Sequence, residues 1–160
     1  LSGNIFENYE KFYDKIDHDK MSVERFLQTV KSKGLIFDPT LFLCIENKMD
    51  WAVRFVKRAN QIGVEICAGT DYINDLNRPF PFIFDELDLY VEKCGFYPME
   101  AIFTVTKVAA EALGVCDKVG TVEVGKQADL LILSGNPFDD IKELRKIKVV
   151  IKRGIEINVD

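Results

Sequence analysis

The chain has 160 residues, 48% of them hydrophobic and 29% charged, a balance that supports a buried core and excludes disordered and fibrous classes. Twenty-six acidic against 21 basic residues leave a net charge of −5, which argues against a nucleic-acid partner, whose binding relies on a basic face. No apolar run approaches the roughly 20 residues that span a bilayer, and no basic-then-apolar segment opens the chain, so no membrane association is expected. Cys44, Cys67, Cys94 and Cys116 lie far apart, without a C-x-x-C pair, each in or beside an apolar stretch. They read as buried free thiols in a reducing, cytoplasmic compartment rather than as a zinc-thiolate site. The first residue is Leu1 rather than Met, which suggests a piece of a larger protein.

Residues 1–20 are polar and aromatic by turns, with Tyr9, Phe12, Tyr13 and Ile16 at helix-like spacing. Val23, Phe26, Leu27 and Val30 fall at i, i+3, i+4 and i+7, one helix face, which Gly34 stops. Leu35-Ile36-Phe37 reads as a short buried strand ended by Asp38-Pro39-Thr40. A second helix carries Ala52, Phe55, Val56 and Ala59 and stops at Gly63; Val64 to Ala68 form another strand, closed by Gly69-Thr70-Asp71. A loop rich in Asn, Pro and aromatics runs from Tyr72 to about Phe84. Leu87, Tyr90, Val91 and Cys94 then mark a helix ending at Gly95. Pro98 suits the first turn of a further helix, with Ile102, Phe103, Ala109, Ala110 and Leu113 on its face and Gly114 as its stop. Helix alternating with strand in this way is the mark of βα units on a parallel sheet.

The pattern changes after residue 118. Residues 119–160 offer β segments at Val122 and Val124, Leu130 to Leu133, Ile147 to Ile151 and Ile155 to Val159, with a short helix near 139–145. The lysines near residues 142–152 read as a solvated face. The division is therefore into residues 1–118, βα in character, and residues 119–160, a β segment. Two parallel strands alone have open edges and too little cover, and the β tail is short for a closed sandwich, so each half looks incomplete.

Asp71 closes an apolar strand after two small residues. In a β/α barrel the C-terminal strand ends face the active site. A carboxylate there can bind a metal or move a proton between a water and a leaving group; taken alone, it can equally cap a turn. The wider pattern bears on that choice. Gly63 to Asp71 resembles the eighth barrel strand of the amidohydrolase superfamily. Glu86-Leu87, Gly95 and Pro98-Met99-Glu100-Ala101 are similar to the segment that follows in that family. Thr106, Ala109, Ala110 and Gly114 resemble its next helix. Gly120-Thr121-Val122-Glu123-Val124-Gly125-Lys126-Gln127-Ala128-Asp129-Leu130 is similar to its "GtIe-GkxADl" signature. Asn136-Pro137, Asp140-Ile141 and Gly154 continue the series. Pro39-Thr40-Leu41 looks like the end of the seventh strand in the imidazolonepropionase and prolidase-like branch.

The resemblance implies an α/β fold: the C-terminal part of a (β/α)8 metallo-hydrolase barrel plus a small β-sandwich segment. It also implies a divalent metal, zinc by default with iron or manganese open. The family's His-x-His pair has no counterpart, since the chain holds one histidine, and only Asp71 maps onto the metal-binding set. Ile16-Asp17-His18 resembles the strand-6 "IEH", which makes His18 a candidate metal ligand. Yet Lys11 to Asp17 are half charged, unlike a buried parallel strand, which favours a solvated residue at a helix start. Leu1-Ser2-Gly3 would also fit just after the family's strand-6 His.

Tyr72 and Arg78, with the Phe80 to Phe84 loop, are candidates for shaping a substrate pocket. Arg78 has the fork that clasps a carboxylate; the loop can equally pack its own aromatics. Glu86 fits either an interaction with that loop or a helix's first turn, and Pro39-Thr40 reads as a strand terminus. The resemblance thus implies hydrolysis of a C–N bond in a small-molecule cyclic amide, imidazolone or dipeptide. The alternative is a catalytically silent half that binds metal weakly and associates with a second copy, as a homo-oligomer, or with a missing N-terminal portion. A flavodoxin-like binding module is a more distant option and lacks a Gly-rich phosphate loop.

Overall fold

The computed structural model describes residues 21–46, 50–73 and 75–157. Helix α1 (Met21–Ser32) buries Leu27 at the centre of the expected stripe, with Val23 and Val30 flanking it against the core. The segments 35–37 and 64–67 then meet in parallel. Phe37 N donates to Glu65 O (2.9 Å), Cys67 N donates to Phe37 O (3.0 Å), and Phe37 stands opposite Ile66. The two expected strands are thus paired as foreseen but reduced to a single bridge. Pro39 has no N–H to extend the ladder on one side. On the other, Ala68 N turns away to Thr104 O (3.1 Å). Leu35, expected to be buried, is 51% exposed.

Helix α2 (Leu41–Glu46) was not foreseen, because six residues are too few to show a period. Helix α3 (Trp51–Ile62) buries Ala52, Val56, Ala59 and Ile62, and ends where Gly63 takes a left-handed conformation (φ 78°). Helix α4 (Ile83–Cys94) begins four residues before its first recognised signal, Leu87, and it runs through the middle of the core. Glu86, Tyr90 and Cys94, spaced by four, form its fully buried stripe, which Phe82 extends by one step before the helix starts. No helix among the described residues is long and apolar enough to cross a membrane.

The single helix expected from Pro98 to Gly114 is two: α5 (Pro98–Val105) and α6 (Lys107–Ala112). The Glu100 carboxylate closes the start of α5 by accepting from Tyr97 N (2.8 Å). The break falls at Thr106 (φ −118°, ψ −88°), whose hydroxyl donates back to Ile102 O (2.7 Å). This is the local competition by which threonine bends helices. Gly120 packs into the notch. A Cβ built on it would stand 2.6 Å from Ala110 Cβ and 3.0 Å from Thr106 O, and its φ is +97°. Gly120→Ala is therefore expected to destabilise the chain by about 1–3 kcal/mol, through overpacking and a left-handed backbone, as read from the midpoint of urea unfolding.

The tail is an antiparallel meander of β1 (Leu130–Leu133), β2 (Ile147–Lys152) and β3 (Ile155–Ile157), with Leu131 opposite Val150 and Ile151 opposite Glu156. Val122 and Val124, expected in a strand, are almost wholly exposed and belong to none. Their segment is held as a turn, where Thr121 Oγ1 donates to Glu123 (2.6 Å) and Lys126 Nζ reaches both residues. The short helix near 139–145 is a 3₁₀ turn, Ile141–Arg145, capped by Asp140, which accepts from Lys142 N (2.9 Å). Ile141 enters the core, and Arg145 pairs with Asp88 (2.8 Å) and Asp85 (3.4 Å) on α4.

The basic residues near 142–152 are more than a solvated face. Lys142 pairs with Glu92 (2.7 Å), Lys146 with Glu143 (2.6 Å) and Lys152 with Asp129. Lys152 together with Arg153 N holds the Asp129 carboxyl down at about 2. The four cysteines are free, but only Cys94 is buried. Cys44 and Cys67 are half-buried, and Cys116, expected to be buried, is exposed.

Candidate active site

Parallel pairing sends two chain segments out over the same edge. Phe37 leads into Asp38-Pro39-Thr40, and Ile66 leads into Gly69-Thr70-Asp71. Both segments bend sharply there. Thr40 (φ 45°) and Asp71 (φ 46°) are left-handed, and Arg153, in the β2–β3 turn, is the other non-glycine residue with positive φ among the described residues. Such conformations cost on the order of 1–3 kcal/mol each and concentrate at functional sites. Asp38 braces the corner: its Oδ1 accepts from Thr40 N (3.3 Å), and its carboxylate lies so close to Gly69 that a Cβ there would meet Oδ2 at 2.6 Å.

Asp71 is exposed and lies five residues beyond Ile66, so it stands past the paired segment rather than on its last residue. Tyr72, the next residue, is 41% exposed and takes part in an aromatic trio. Its ring meets Phe82 at 4.8 Å and Phe42 edge-on at 5.5 Å, and Phe42 lies 4.9 Å from Phe82. Arg78 is turned back onto its own loop. It pairs with Asp85 (2.7 Å) and stacks over Phe82, 4.0 Å from the ring centre. The guanidinium expected to meet a substrate carboxylate is thus already engaged with an internal one. His18 lies outside the described residues.

Sequence inspection did not single out Phe42 and left the place of Glu86 open. Glu86 is wholly buried, and its carboxylate accepts from Leu41 N (2.9 Å) and Phe42 N, the first two N–H groups of α2. Those groups have no partner within their own helix, so the carboxylate satisfies donors that burial would otherwise strand. Burial pushes the Glu86 carboxyl up to about 7, although both N–H groups favour the charged form. The available signal was spacing: Glu86 falls in step with Phe82, Tyr90 and Cys94 on the buried face.

Among the described residues, no three His, Cys, Asp or Glu side chains gather where they could hold a metal ion. A catalytic zinc takes about three protein ligands. The described residues therefore do not by themselves fit a metal centre.

Residues 15–157 match the family model of the Amidohydrolase family, and the chain belongs to that family. It is 30% identical over 131 residues to the imidazolonepropionase of Thermoplasma volcanium, covering 82% of this chain and 31% of that one. It is 28% identical over 154 residues to the ochratoxinase of Aspergillus niger, covering 84% of this chain and 31% of the relative. Among solved structures it resembles a Xaa-Pro dipeptidase with methionine bound in its active site. The TM-score is 0.70 at 28% identity, over 82% of this chain and 36% of that chain. The chain thus spans about a third of the length of these proteins.

Proposed function

We propose that this chain is the C-terminal part of a metal-dependent amidohydrolase that cleaves a C–N bond in a cyclic amide, an imidazolone or a dipeptide. In this assignment residues 1–118 supply the last strands and helices of a (β/α)8 barrel, and residues 119–160 supply part of a β-sandwich. Asp71 takes a proton from the attacking water and passes it to the leaving nitrogen. The supporting observation is positional. The parallel pairing of Phe37 and Ile66 carries Asp71 out at the C-terminal end of the paired segments, where barrel enzymes assemble their chemistry. The names of the relatives, an imidazolonepropionase, an ochratoxinase and an Xaa-Pro dipeptidase, support that bond class. Zinc is the default metal, its remaining ligands supplied from outside the described residues. The test is turnover of a panel of acyl amides, imidazolones and dipeptides by the full-length protein. Hydrolysis of none of them would remove the assignment.

One observation favours a second role for the isolated 160 residues, as an association half. Met99, Phe103, Leu113, Val122 and Val124 stand exposed, and a surface onto which such side chains gather is one that a partner covers. The parallel pairing among the described residues is also one bridge, less than a sheet that stands alone. The purified chain is expected to lack hydrolase activity, to hold metal only weakly, and to associate as concentration rises. Elemental analysis and light scattering over a concentration series measure this. A species that stays monomeric at high concentration would show these surfaces to be self-sufficient.

A further inference from the structure

We propose that Glu86 is a positioning residue: by holding the N–H groups of Leu41 and Phe42, its buried carboxylate sets the Phe42 ring against Tyr72 and Phe82. It thereby builds an aromatic wall beside Asp71 that receives an aromatic group of the substrate. The inference rests on the assignment of Asp71 to the reacting edge. Glu86 lies on α4, a helix fixed throughout by the core, whereas α2 is only six residues long and follows a strained corner at Thr40. A helix that short has little stability of its own, so its orientation depends on tertiary contacts. Glu86 supplies such a contact at the residue that carries the Phe42 ring.

The consequence reaches the site in two steps. Phe42 meets Tyr72 edge-on, with ring planes at 90°, and lies tilted at 35° on Phe82. Tyr72 adjoins Asp71 in the chain and is exposed on its outer side, while Phe82 is 9% exposed and closes the inner side. Arg78, stacked on Phe82 and paired with Asp85, fixes that inner ring rather than offering its charge to a ligand. What the wall presents beside Asp71 is therefore ring surface, suited to an arene.

The test uses the full-length protein with phenylalanyl-proline and alanyl-proline as probes, and the variants Glu86→Gln and Phe42→Leu. Each variant is expected to raise KM for phenylalanyl-proline about three- to tenfold, the range of one aromatic pair, and to leave alanyl-proline and both kcat values unchanged. A merely structural role would lower kcat for both probes alike and would overturn the proposal. An independent readout needs no turnover. With fluorotyrosine incorporated and Tyr72 assigned by the signal lost in Tyr72→Phe, Glu86→Gln should move the Tyr72 resonance in the same direction as Phe42→Leu. A Tyr72 signal unmoved in folded Glu86→Gln protein overturns the proposal whatever the activity. If Glu86→Gln fails to fold, equal KM changes for the two probes in Phe42→Leu overturn it instead. A moved signal with neither dipeptide hydrolysed by the unaltered protein supports the positioning role and counts against the dipeptide assignment.

Discussion

Replacing Asp71 by Asn in the full-length protein is expected to leave the fold intact and to lower kcat by about 10²- to 10⁴-fold, the usual worth of a positioned proton acceptor. The substitution is well controlled by the backbone. Asp71 sits at φ 46°, a left-handed conformation that Asn adopts as readily as Asp. Shape, polarity and local strain are preserved, and only the basic oxygen is lost. Asp71→Ala provides the contrast, since alanine adopts the left-handed region less readily and adds a stability cost of about 1–2 kcal/mol to the loss of turnover. Turnover and thermal melting of both variants measure the two effects separately. Near-normal turnover in Asp71→Asn would place the proton transfer on another group.

The second large effect is expected at Glu86. Replacement by Leu removes the acceptor from two N–H groups at the buried start of α2, and each stranded donor costs about 1–3 kcal/mol. A loss of several kcal/mol, measured by denaturant unfolding, follows. The carboxyl also gives stability a dependence on pH. Its value is about 7 in the folded chain against 4.5 for an unperturbed group, because burial, with the Asp38 charge beside it, opposes ionisation. Between those values the folded state holds a proton that the unfolded state has released, so stability falls as pH rises from about 4.5 to about 7 and levels off above. At about 1.4 kcal/mol per unit, the difference is on the order of 3 kcal/mol. The thiols and the phenol packed around it do not mask the trend. Cys94 is pushed up to about 12 by burial, and Cys44 and Tyr90 are likewise raised by burial and by Glu86 itself. Glu86→Gln should flatten this slope. A wild-type profile without it would mean that Glu86 stays ionised throughout.

What the sequence made legible was periodic. The stripes of α1, α3 and α4, the glycine stops and the three tail strands were all read from spacing, because burial of one face imposes a repeat on the residues themselves. The misses have equally definite causes. Helix α2 has no room for a repeat. The break at Thr106 depends on a hydroxyl returning to Ile102 O, and both halves keep good helix formers. Val122 and Val124 alternate like a strand, yet a strand exists only where a partner lies alongside, and a neighbour is invisible in a local pattern. In the site, Asp71 was singled out by the ordered resemblance that runs from Gly63 onward, because the triplet Gly69-Thr70-Asp71 taken alone also suits a turn cap. Phe42 was not, since one phenylalanine among twelve carries no signal until its ring contacts are known.

Asp85 carries a consequence for the division at residue 118. Its carboxylate is shared by Arg78, from the loop beside Asp71, and Arg145, from the turn between β1 and β2. Arg145 also lies 5.4 Å from the centre of the Phe84 ring, and Ile141 beside it reaches into the core. A cut after residue 118 would therefore do more than detach a tail. It would take one of two cations from a shared anion, leave Asp88 without its arginine, and open the core at Ile141. Arg78 would then face Asp85 alone, on a loop that had lost the support behind it. The tail thus acts as a counterweight to the loop that carries Arg78, and a truncation that removes the one is expected to loosen the other.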